Sequence, residues 1–361
     1  MPFEPRSDRL VLHVPTREPS RLPDPRDWDT DLAGLDALGG KTVLPDAIPV
    51  EQRQVLDAFL AETFGTPGAP KFAGDAAAAA NRLGLSADEL TEGSKIYRSK
   101  CVQCHGVAGD GRGPSGLFIS PHPRDFRRGA FKFVTASANG KPRRSDLLRT
   151  IRDGVKGTAM PGFGLLPENE RDALAAYITF LSIRGEVEFR TLAALALESQ
   201  GEDGTEGDPA PFAAGRLHVI LNDWIRADSS PTDPHDAMPD DDATKQSSGY
   251  LDSVRRGYEL FAAPGGTSCI ACHQDFGRKE TFRYDVWGTV VRPANLTGLT
   301  LKAGSSLEQV FGRVRHGIAP SGMPAHPSLS DSQVWDVVHF VRALPFPREL
   351  PEDVRRKVYP E

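Results

Sequence analysis

Cysteine is scarce in this chain of 361 residues, which contains only four. Long apolar runs are also lacking, since none approaches the roughly 18 residues that a membrane-spanning helix needs. The chain has no long basic tract and a formal net charge of −6, so nucleic acid is a poor candidate as a partner. Its first residues, MPFEPR, show neither the basic start nor the apolar core of a secretory signal peptide. We therefore expect a globular protein that has no membrane span, with peripheral association with a membrane left open.

Charge divides the chain into blocks. Residues 86–185 carry sixteen basic and ten acidic side chains, whereas residues 186–248 carry four basic and fourteen acidic ones. We interpret this pattern as two domains separated by an acidic linker. The predicted organisation is an extended and helical N-terminal wrap at 1–85, a first domain at 86–185, the linker with short helices at 186–248, a second domain at 249–347 and a C-terminal tail at 348–361. The wrap is predicted to contain a helix near Val50–Phe64. In the linker, short helices predicted at 186–199 and 214–225 flank one low-complexity stretch, and a second such stretch leads into the second domain.

A repeat relates the two predicted domains, which we call the first unit (86–185) and the second unit (249–347). Residues 151–181 and 314–344 align without a gap at a constant shift of 163. The apolar positions of this alignment recur at helical spacing, so each segment is predicted to end in an amphipathic helix. Each unit has the order helix, C-x-x-C-H, loop, G-x5-M-P, helix, and the predicted fold class is mainly α. Capping boxes of Ser86 with Glu89 and of Ser330 with Gln333 predict where two of these helices begin. The second unit has four extra residues in the loop before its C-x-x-C-H motif. The aligned pairs include Gly154 with Gly317, Met160 with Met323, Pro161 with Pro324, Leu174 with Val337 and Ile178 with Val341.

All four cysteines lie in two copies of one motif. This C-x-x-C-H motif is the attachment signature of a c-type haem: two thiols on one helical turn form thioethers, and the adjacent imidazole binds the iron. Methionine is a known second axial partner of histidine. Only four methionines occur, and Met160 and Met323 occupy equivalent positions of the two units. The sequence thus predicts two covalently bound haem c groups with iron ligated by histidine and methionine. The predicted haem-binding residues are Cys101, Cys104, His105 and Met160 in the first unit, and Cys269, Cys272, His273 and Met323 in the second.

The same residues have other interpretations. A structural zinc site needs four neighbouring ligands, but the two cysteine pairs lie in separate units. A thioredoxin-like redox pair needs no following histidine and is expected in a βαβ setting. Methionine commonly fills gaps in a core, and further histidines compete as iron ligands. These histidines are His122 in the first unit and His316, His326 and His339 in the second.

Residues upstream of each motif complete a longer pattern. Gly93 and Tyr97 precede the first C-x-x-C-H motif, and Gly257 and Phe261 precede the second. Together with the Met-Pro pairs and the closing helices, this pattern resembles the class I cytochrome c family, present twice in tandem. The resemblance covers a little over half of the chain. It implies two class I cytochrome c-like helical domains joined by the acidic linker, with the N-terminal segment added.

The resemblance also implies a partner for each proximal histidine. In class I cytochromes c the second ring nitrogen of this histidine donates to a proline backbone carbonyl, a bond that fixes the orientation of the ligand. The implied acceptors are Pro123 in the first unit and Pro293 in the second. Pro114 and Pro121 are alternatives to Pro123.

A six-coordinate iron leaves no open position for a substrate, which favours electron transfer over bond-making chemistry. Methionine ligation favours relatively high reduction potentials. We expect a periplasmic dihaem carrier that exchanges single electrons with redox protein partners of a respiratory chain, such as a quinol-oxidising complex and a terminal oxidase or reductase. The alternative is a haem enzyme or enzyme subunit, such as a dihaem peroxidase or a small-molecule dehydrogenase, with one exchangeable sixth ligand.

A basic insert spans residues 124–149 of the first unit. One interpretation is a solvated loop, and another is a docking face that attracts an acidic redox partner. A third is that the acidic linker of the same molecule covers this face. The sequence leaves these three interpretations open. The basic residues concerned are Arg127, Arg128, Lys132, Lys141, Arg143 and Arg144.

Overall fold

A computed structural model of the chain describes residues 2–15, 35–135, 141–199, 208–229, 238, 240–264 and 269–360. These residues are mainly helical, which confirms the predicted fold class. The α-helices are α1 Val50–Phe64, α2 Ala76–Arg82, α3 Ala87–Lys100, α4 Val102–His105, α5 Arg144–Asp153, α6 Glu168–Ser199, α7 Pro209–Ser229, α8 Asp242–Lys245, α9 Ser248–Ala262, α10 Cys269–Cys272, α11 Leu307–His316, α12 Asp331–Ala343 and α13 Glu352–Val358. Short 3₁₀ turns occur at Pro45–Ala47, Gly116–Phe118, Phe126–Arg128, Gln274–Gly277, Ala319–Ser321 and Pro347–Glu349. The strands form antiparallel pairs: β1 Leu10–His13 with β2 Lys41–Val43, β3 Gly65–Thr66 with β4 Ala69–Pro70, and β5 Arg283–Tyr284 with β6 Val290–Val291.

The described part of the N-terminal segment packs on the first unit. Its helix α1 has the bounds that the apolar spacing predicts, and it buries Leu56, Leu60 and Phe64. The Phe64 ring lies 5.4 Å from that of Phe72 and 5.9 Å from that of Phe180 on α6, both in edge-on contact. Such aromatic pairs stabilise a core beyond the area they bury. One hydrophobic core therefore joins this segment to the first unit.

Helices α3 and α6 cross in the first unit. Helix α3 begins where the sequence predicts, because the Ser86 hydroxyl caps it by accepting from the backbone N–H of Glu89 at 3.3 Å. Tyr97 near its end is fully buried, and its ring lies 5.3 Å from that of Tyr177 on α6. Directly after this crossing, the chain enters α4, the turn that carries the first C-x-x-C-H motif.

The second unit repeats the crossing with α9 and α12. Ser330 and Gln333 form the predicted capping box at the start of α12. The rings of Phe261 and Phe340 lie 5.4 Å apart, at the positions that Tyr97 and Tyr177 occupy in the first unit. The repeat seen in the sequence is thus a repeat of packing as well.

Helix α6 differs from the sequence-based expectation. Its apolar pattern predicted an end near Leu181 and a separate short helix from Glu186, but the structure has one helix of 32 residues, Glu168–Ser199. The boundary predicted between residues 185 and 186 therefore falls inside a helix. Glu186 and Glu188, which looked like part of a solvated acidic linker, are only 1% and 2% exposed. Composition cannot reveal that basic side chains elsewhere in the chain neutralise them.

More of the predicted linker also belongs to the first unit. Helix α7, of which the sequence predicted the central part, places Leu217, Leu221 and Trp224 in the core shared with α6. The low-complexity stretches on either side of α7 lie largely outside the described residues. So does most of the loop with four extra residues that the alignment predicted before the second C-x-x-C-H motif.

Candidate haem-attachment sites

The first C-x-x-C-H motif forms a single helical turn directly after α3. The backbone N–H of Cys101 donates to the Tyr97 carbonyl at 2.8 Å, and that of His105 donates to the Cys101 carbonyl at 2.9 Å. Cys101, Cys104 and His105 are all half-buried. Neither cysteine is in a disulfide, so both thiols are free to form thioethers from one edge of the turn.

The second motif has the same local geometry. The backbone N–H of His273 donates to the Cys269 carbonyl at 2.8 Å, which corresponds to the His105 bond in the first unit. Neither Cys269 nor Cys272 is in a disulfide. Arg283 approaches this motif, because its guanidinium lies 3.2 Å from the Cys272 sulfur and donates to the Gly322 carbonyl at 3.1 Å. The two units therefore present the same set of two thiols and one imidazole.

Both motif histidines are oriented by a backbone carbonyl. His105 Nδ1 lies 3.1 Å from the Arg124 carbonyl oxygen, and His273 Nδ1 lies 3.1 Å from that of Ala294. Since a carbonyl oxygen only accepts, Nδ1 carries the proton in each ring. The lone pair of each neutral ring is therefore on Nε2, where a metal can bind.

These acceptors correct the prediction of Pro123 and Pro293. In each unit the carbonyl belongs to the residue after the predicted proline. Successive peptide groups of an extended chain face opposite ways, so moving one residue along reverses the direction of the carbonyl. The Pro123 oxygen instead faces Gly111, where a Cβ atom would lie 2.4 Å from it. The sequence identified the right segments but not the carbonyl, and it missed Arg124 and Ala294.

Burial determines the protonation of these groups. It lowers the pKa of His105 and of His273, which favours the neutral imidazole. Burial raises the pKa of Cys101 to about 12 and that of Cys269 to about 11, so both are thiols rather than thiolates. A structural zinc site needs four ligands, whereas each motif offers two cysteines and one histidine. The donor set therefore fits covalent haem attachment better than a zinc site.

The loops that carry Met160 and Met323 have the same form. The Met160 carbonyl accepts from the Val155 N–H at 3.2 Å, and the Met323 carbonyl accepts from the Ile318 N–H at 2.9 Å. Each loop starts at a glycine with positive φ, 67° at Gly154 and 69° at Gly317, a conformation that glycine adopts without strain. Both methionines are half-buried. Their equivalence extends from sequence to backbone geometry, while their role as iron ligands stays a prediction.

Aromatic rings support the motif histidines. Phe126 stacks on His105, with ring centroids 4.8 Å apart and planes inclined by 20°. In the second unit Phe261 lies 6.3 Å from His273. Phe126 was not predicted from the sequence, although it stands two residues after Arg124, in the segment that holds His105.

The histidines outside the motifs have varied environments. The His122 ring donates through Nδ1 to the Gly116 carbonyl at 3.2 Å. His339 is buried, and its Nδ1 lies 2.8 Å from the Ser253 hydroxyl. His326 is buried and His316 is half-buried. For His122 and His339 the structure therefore shows hydrogen-bonding roles.

The basic insert is used largely for contacts within the molecule. Each of several basic side chains forms an ion pair with an acidic residue from a different part of the chain. The solvated-loop interpretation is therefore wrong for Arg127 and Lys141, which are only 4% and 7% exposed, while the docking face stays a prediction. The pairs are Arg127 with Asp8, Lys132 with Asp285, Lys141 with Glu186 and Arg144 with Asp172. The Lys141–Glu186 pair joins the insert to the predicted acidic linker, as the third interpretation expects.

Comparison with known proteins identifies the family. The sequence profile of the family described as "Cytochrome C oxidase, cbb3-type, subunit III" matches residues 88–178 and 252–341, which together make up half of the chain. Each matched segment contains one C-x-x-C-H motif and one of the two loop methionines. No curated protein matches the chain.

Among solved structures, a chain of the Kuenenia stuttgartiensis reducing HAO-like protein complex has a similar fold. The TM-score is 0.50, with 22% sequence identity over 70% of this chain and 95% of that chain. Within the described residues, no helix combines the length and the apolar character of a membrane span. The two motif geometries and the two profile matches lead to one conclusion: the chain belongs to the c-type cytochrome family named by that profile, and it carries the family's domain in two segments.

Proposed function

We propose that this chain is an electron-transfer protein with two covalently bound haem c groups, one in each unit. The observation that carries the proposal is the duplicated histidine geometry. In both units the Nδ1–H group donates to a main-chain carbonyl at 3.1 Å and Nε2 keeps its lone pair. Such a bond fixes the ring and strengthens it as a ligand.

The residues of each unit have distinct proposed roles. Cys101 and Cys104 would form the thioethers, and His105 Nε2 and Met160 would bind the iron. Cys269, Cys272, His273 and Met323 would do the same in the second unit. When bound, the group supplies a reversible one-electron couple between ferric and ferrous iron. The protein fixes the ligands and keeps part of the site away from water, which sets the potential of that couple.

Ligation by histidine and methionine favours a carrier over an enzyme. It would leave the iron no open position for a substrate, and it would raise the reduction potential relative to other ligand sets. We propose that the protein works on the periplasmic side of a bacterial respiratory chain. Its partners are redox proteins, with a quinol-oxidising complex as donor and a terminal oxidase or reductase as acceptor.

A redox titration followed by absorption and EPR spectroscopy tests this function on the matured protein. We expect two one-electron steps, both from low-spin iron at neutral pH, and a mass that exceeds the polypeptide mass by two haem groups. A mass equal to the bare polypeptide would refute the proposal. A high-spin ferric signal with rapid peroxide turnover would favour the alternative, a haem enzyme or enzyme subunit such as a dihaem peroxidase or a small-molecule dehydrogenase.

A further inference from the structure

A hairpin of the second unit reaches across to the first. Strands β5 and β6 are joined by a turn that presents Trp287, and Asp285 holds this turn together. The Asp285 carboxylate accepts from the backbone N–H groups of Trp287 and Thr289, both at 3.1 Å, and from the Thr289 hydroxyl at 2.7 Å. Asp285 is only 1% exposed. Trp287 is therefore held on a fixed turn rather than on a free loop.

Trp287 contacts the segment that orients His105. Its indole Nε1–H donates to the Asp125 carbonyl at 3.0 Å. The Arg124 guanidinium lies over the Trp287 ring, 3.7 Å from a ring centroid, a close cation–π contact. Arg124 supplies the carbonyl that accepts from His105 Nδ1 at 3.1 Å. The indole thus holds the peptide group next to the one that fixes the histidine.

An ion pair strengthens the same contact between the units. Lys132 of the first unit donates to the Asp285 carboxylate at 3.0 Å, and Asp285 also lies 3.9 Å from the Arg124 guanidinium. Because Asp285 is buried, this pairing is screened less by solvent than a surface pair. The hairpin is therefore anchored to the first unit by charge as well as by the indole.

The other side of the hairpin contacts the loop that carries Met323. The backbone N–H of Val286, next to Trp287 in the chain, donates to the Pro320 carbonyl at 2.9 Å. Arg283 donates to the Gly322 carbonyl at 3.1 Å. One hairpin therefore has hydrogen bonds to the methionine loop of the second unit and to the histidine-orienting segment of the first.

We propose that Trp287 is a positioning residue that couples the two haem sites. It holds the backbone at Arg124 and Asp125 against His105, and it completes a continuous chain of covalent and hydrogen bonds between the sites. In the transfer that these bonds support, a ferrous iron at one site loses an electron and becomes ferric. A ferric iron at the other site gains that electron and becomes ferrous. No proton or bond changes place. The inference rests on the proposed electron-transfer function.

The test compares two tryptophan-to-phenylalanine variants of the matured protein. Trp287→Phe keeps an aromatic ring but removes the donor to Asp125. Trp224→Phe makes the same change near the same site, where the indole N–H is buried and has no hydrogen-bond partner among the described residues. Trp224 packs edge-on against Phe131, with ring centroids 6.0 Å apart. It therefore controls for the loss of ring size.

Two measurements are made on the wild type and on each variant, and a third is made on the wild type alone. The rate of electron transfer between the two irons is followed after rapid one-electron reduction. The reduction potentials of both sites come from a spectrally resolved titration, and NMR follows the exchange of the indole N–H of Trp287 with D₂O in the wild type. We expect a protected indole N–H in the wild type. Trp287→Phe should slow the transfer several-fold and shift the potential of the first site, while Trp224→Phe should change neither.

The outcomes separate this inference from the proposed function. Equal transfer rates and potentials in the wild type and in Trp287→Phe would overturn the coupling role while leaving the carrier function intact. A protein in which neither site takes up an electron would refute the function itself. If Trp287→Phe matures poorly, Lys132→Gln weakens the same contact through Asp285. An unchanged transfer rate in Lys132→Gln, together with an unprotected indole N–H in the wild type, would also overturn the inference.

Discussion

Gly93 lies against Ala173 so closely that a Cβ atom on the glycine would come within 2.1 Å of the Ala173 carbonyl oxygen. The equivalent pair in the second unit, Gly257 and Asp336, has the same relationship at 1.9 Å. Each contact is the crossing point of the first and last helices of a unit. Because only glycine allows two helix backbones to approach this closely, these residues set the distance at which the helices cross.

Replacing Gly93 by alanine should therefore destabilise the first unit. The new methyl group meets a backbone carbonyl, which cannot rotate away as a side chain can, so α3 has to move from α6. We expect a loss of about 1–3 kcal/mol in the free energy of unfolding, measured by urea denaturation. Gly215→Ala on α7 is the control, since a Cβ atom there meets no atom of the described residues within 4 Å. It should stabilise the protein by up to about 1 kcal/mol, and equal effects of the two changes would contradict the argument.

Asp8 should make stability depend on acid pH. Burial raises its pKa, but Arg6 and Arg127 outweigh this and lower the pKa from 3.8 to about 2. The stabilisation is therefore complete above pH 3.8 and is lost as the pH falls towards about 2. At 1.36 kcal/mol per pKa unit it amounts to about 2 kcal/mol. Unfolding of the wild type and of Asp8→Asn, compared from neutral pH down to about pH 2, should show that deficit at neutral pH and the loss of most of it near pH 2.

Glu4→Gln provides the matched control for Asp8. Glu4 is exposed and close to Asp8 in the chain, so its replacement should change stability by less than about 0.5 kcal/mol. A deficit for Asp8→Asn that persists unchanged at pH 2 would show that the contribution is not electrostatic.

Removing only one member of the buried Lys141–Glu186 pair should strongly destabilise the protein. Lys141 Nζ donates to Glu186 at 2.5 Å and to the Gly129 carbonyl at 2.9 Å, and both side chains are almost fully buried. Lys141→Met leaves a buried carboxylate with Arg190 as its remaining partner. We expect a loss of about 3 kcal/mol or more. Adding Glu186→Leu should recover part of it, because no unpaired charge then stays inside.

An exposed ion pair serves as the reference for the effect of Lys141→Met. Lys95 and Glu92 lie 3.1 Å apart with side chains 61% and 51% exposed. Surface pairs of this kind contribute about 0–1 kcal/mol, so Lys95→Met should have little effect in the same urea assay. If Lys141→Met were equally mild, the pairing of the linker with the first unit would be energetically unimportant.

Local signals in the sequence predicted what is local in the structure. Ser86 and Ser330 start helices because a hydroxyl three residues from an N–H satisfies a donor that the helix cannot. The constant shift between the units predicted that Met160 and Met323 occupy equivalent loops, and their main-chain bonds agree. Pro123 located the segment that orients His105 but not the carbonyl, since the direction of a carbonyl depends on the backbone conformation of each residue.

Contacts between distant segments left no comparable signal. Trp287 is one aromatic residue among many in the sequence, and its partner Asp125 stands 162 positions earlier. Glu186 looked solvated because an acidic composition is typical of a linker, although Lys141 and Arg190 neutralise it inside the fold. Pairing of this kind depends on which segments meet in three dimensions, and a single sequence does not contain that information.

The proposed role of Met160 as an iron ligand predicts a change in the reduction potential of one site only. The variant Met160→His replaces this thioether by an imidazole. It should lower the reduction potential of the first site alone, because sulfur ligation favours the reduced iron. Axial ligands set haem potentials over a range of roughly 0.8 V, so the shift should be resolved easily in a spectral titration. Met323→His should move the other step, and Met238→Leu, at a methionine packed against the second core, should move neither. If Met160→His left both steps in place, Met160 would not be an iron ligand, and a histidine such as His122 would have to be tested in the same way.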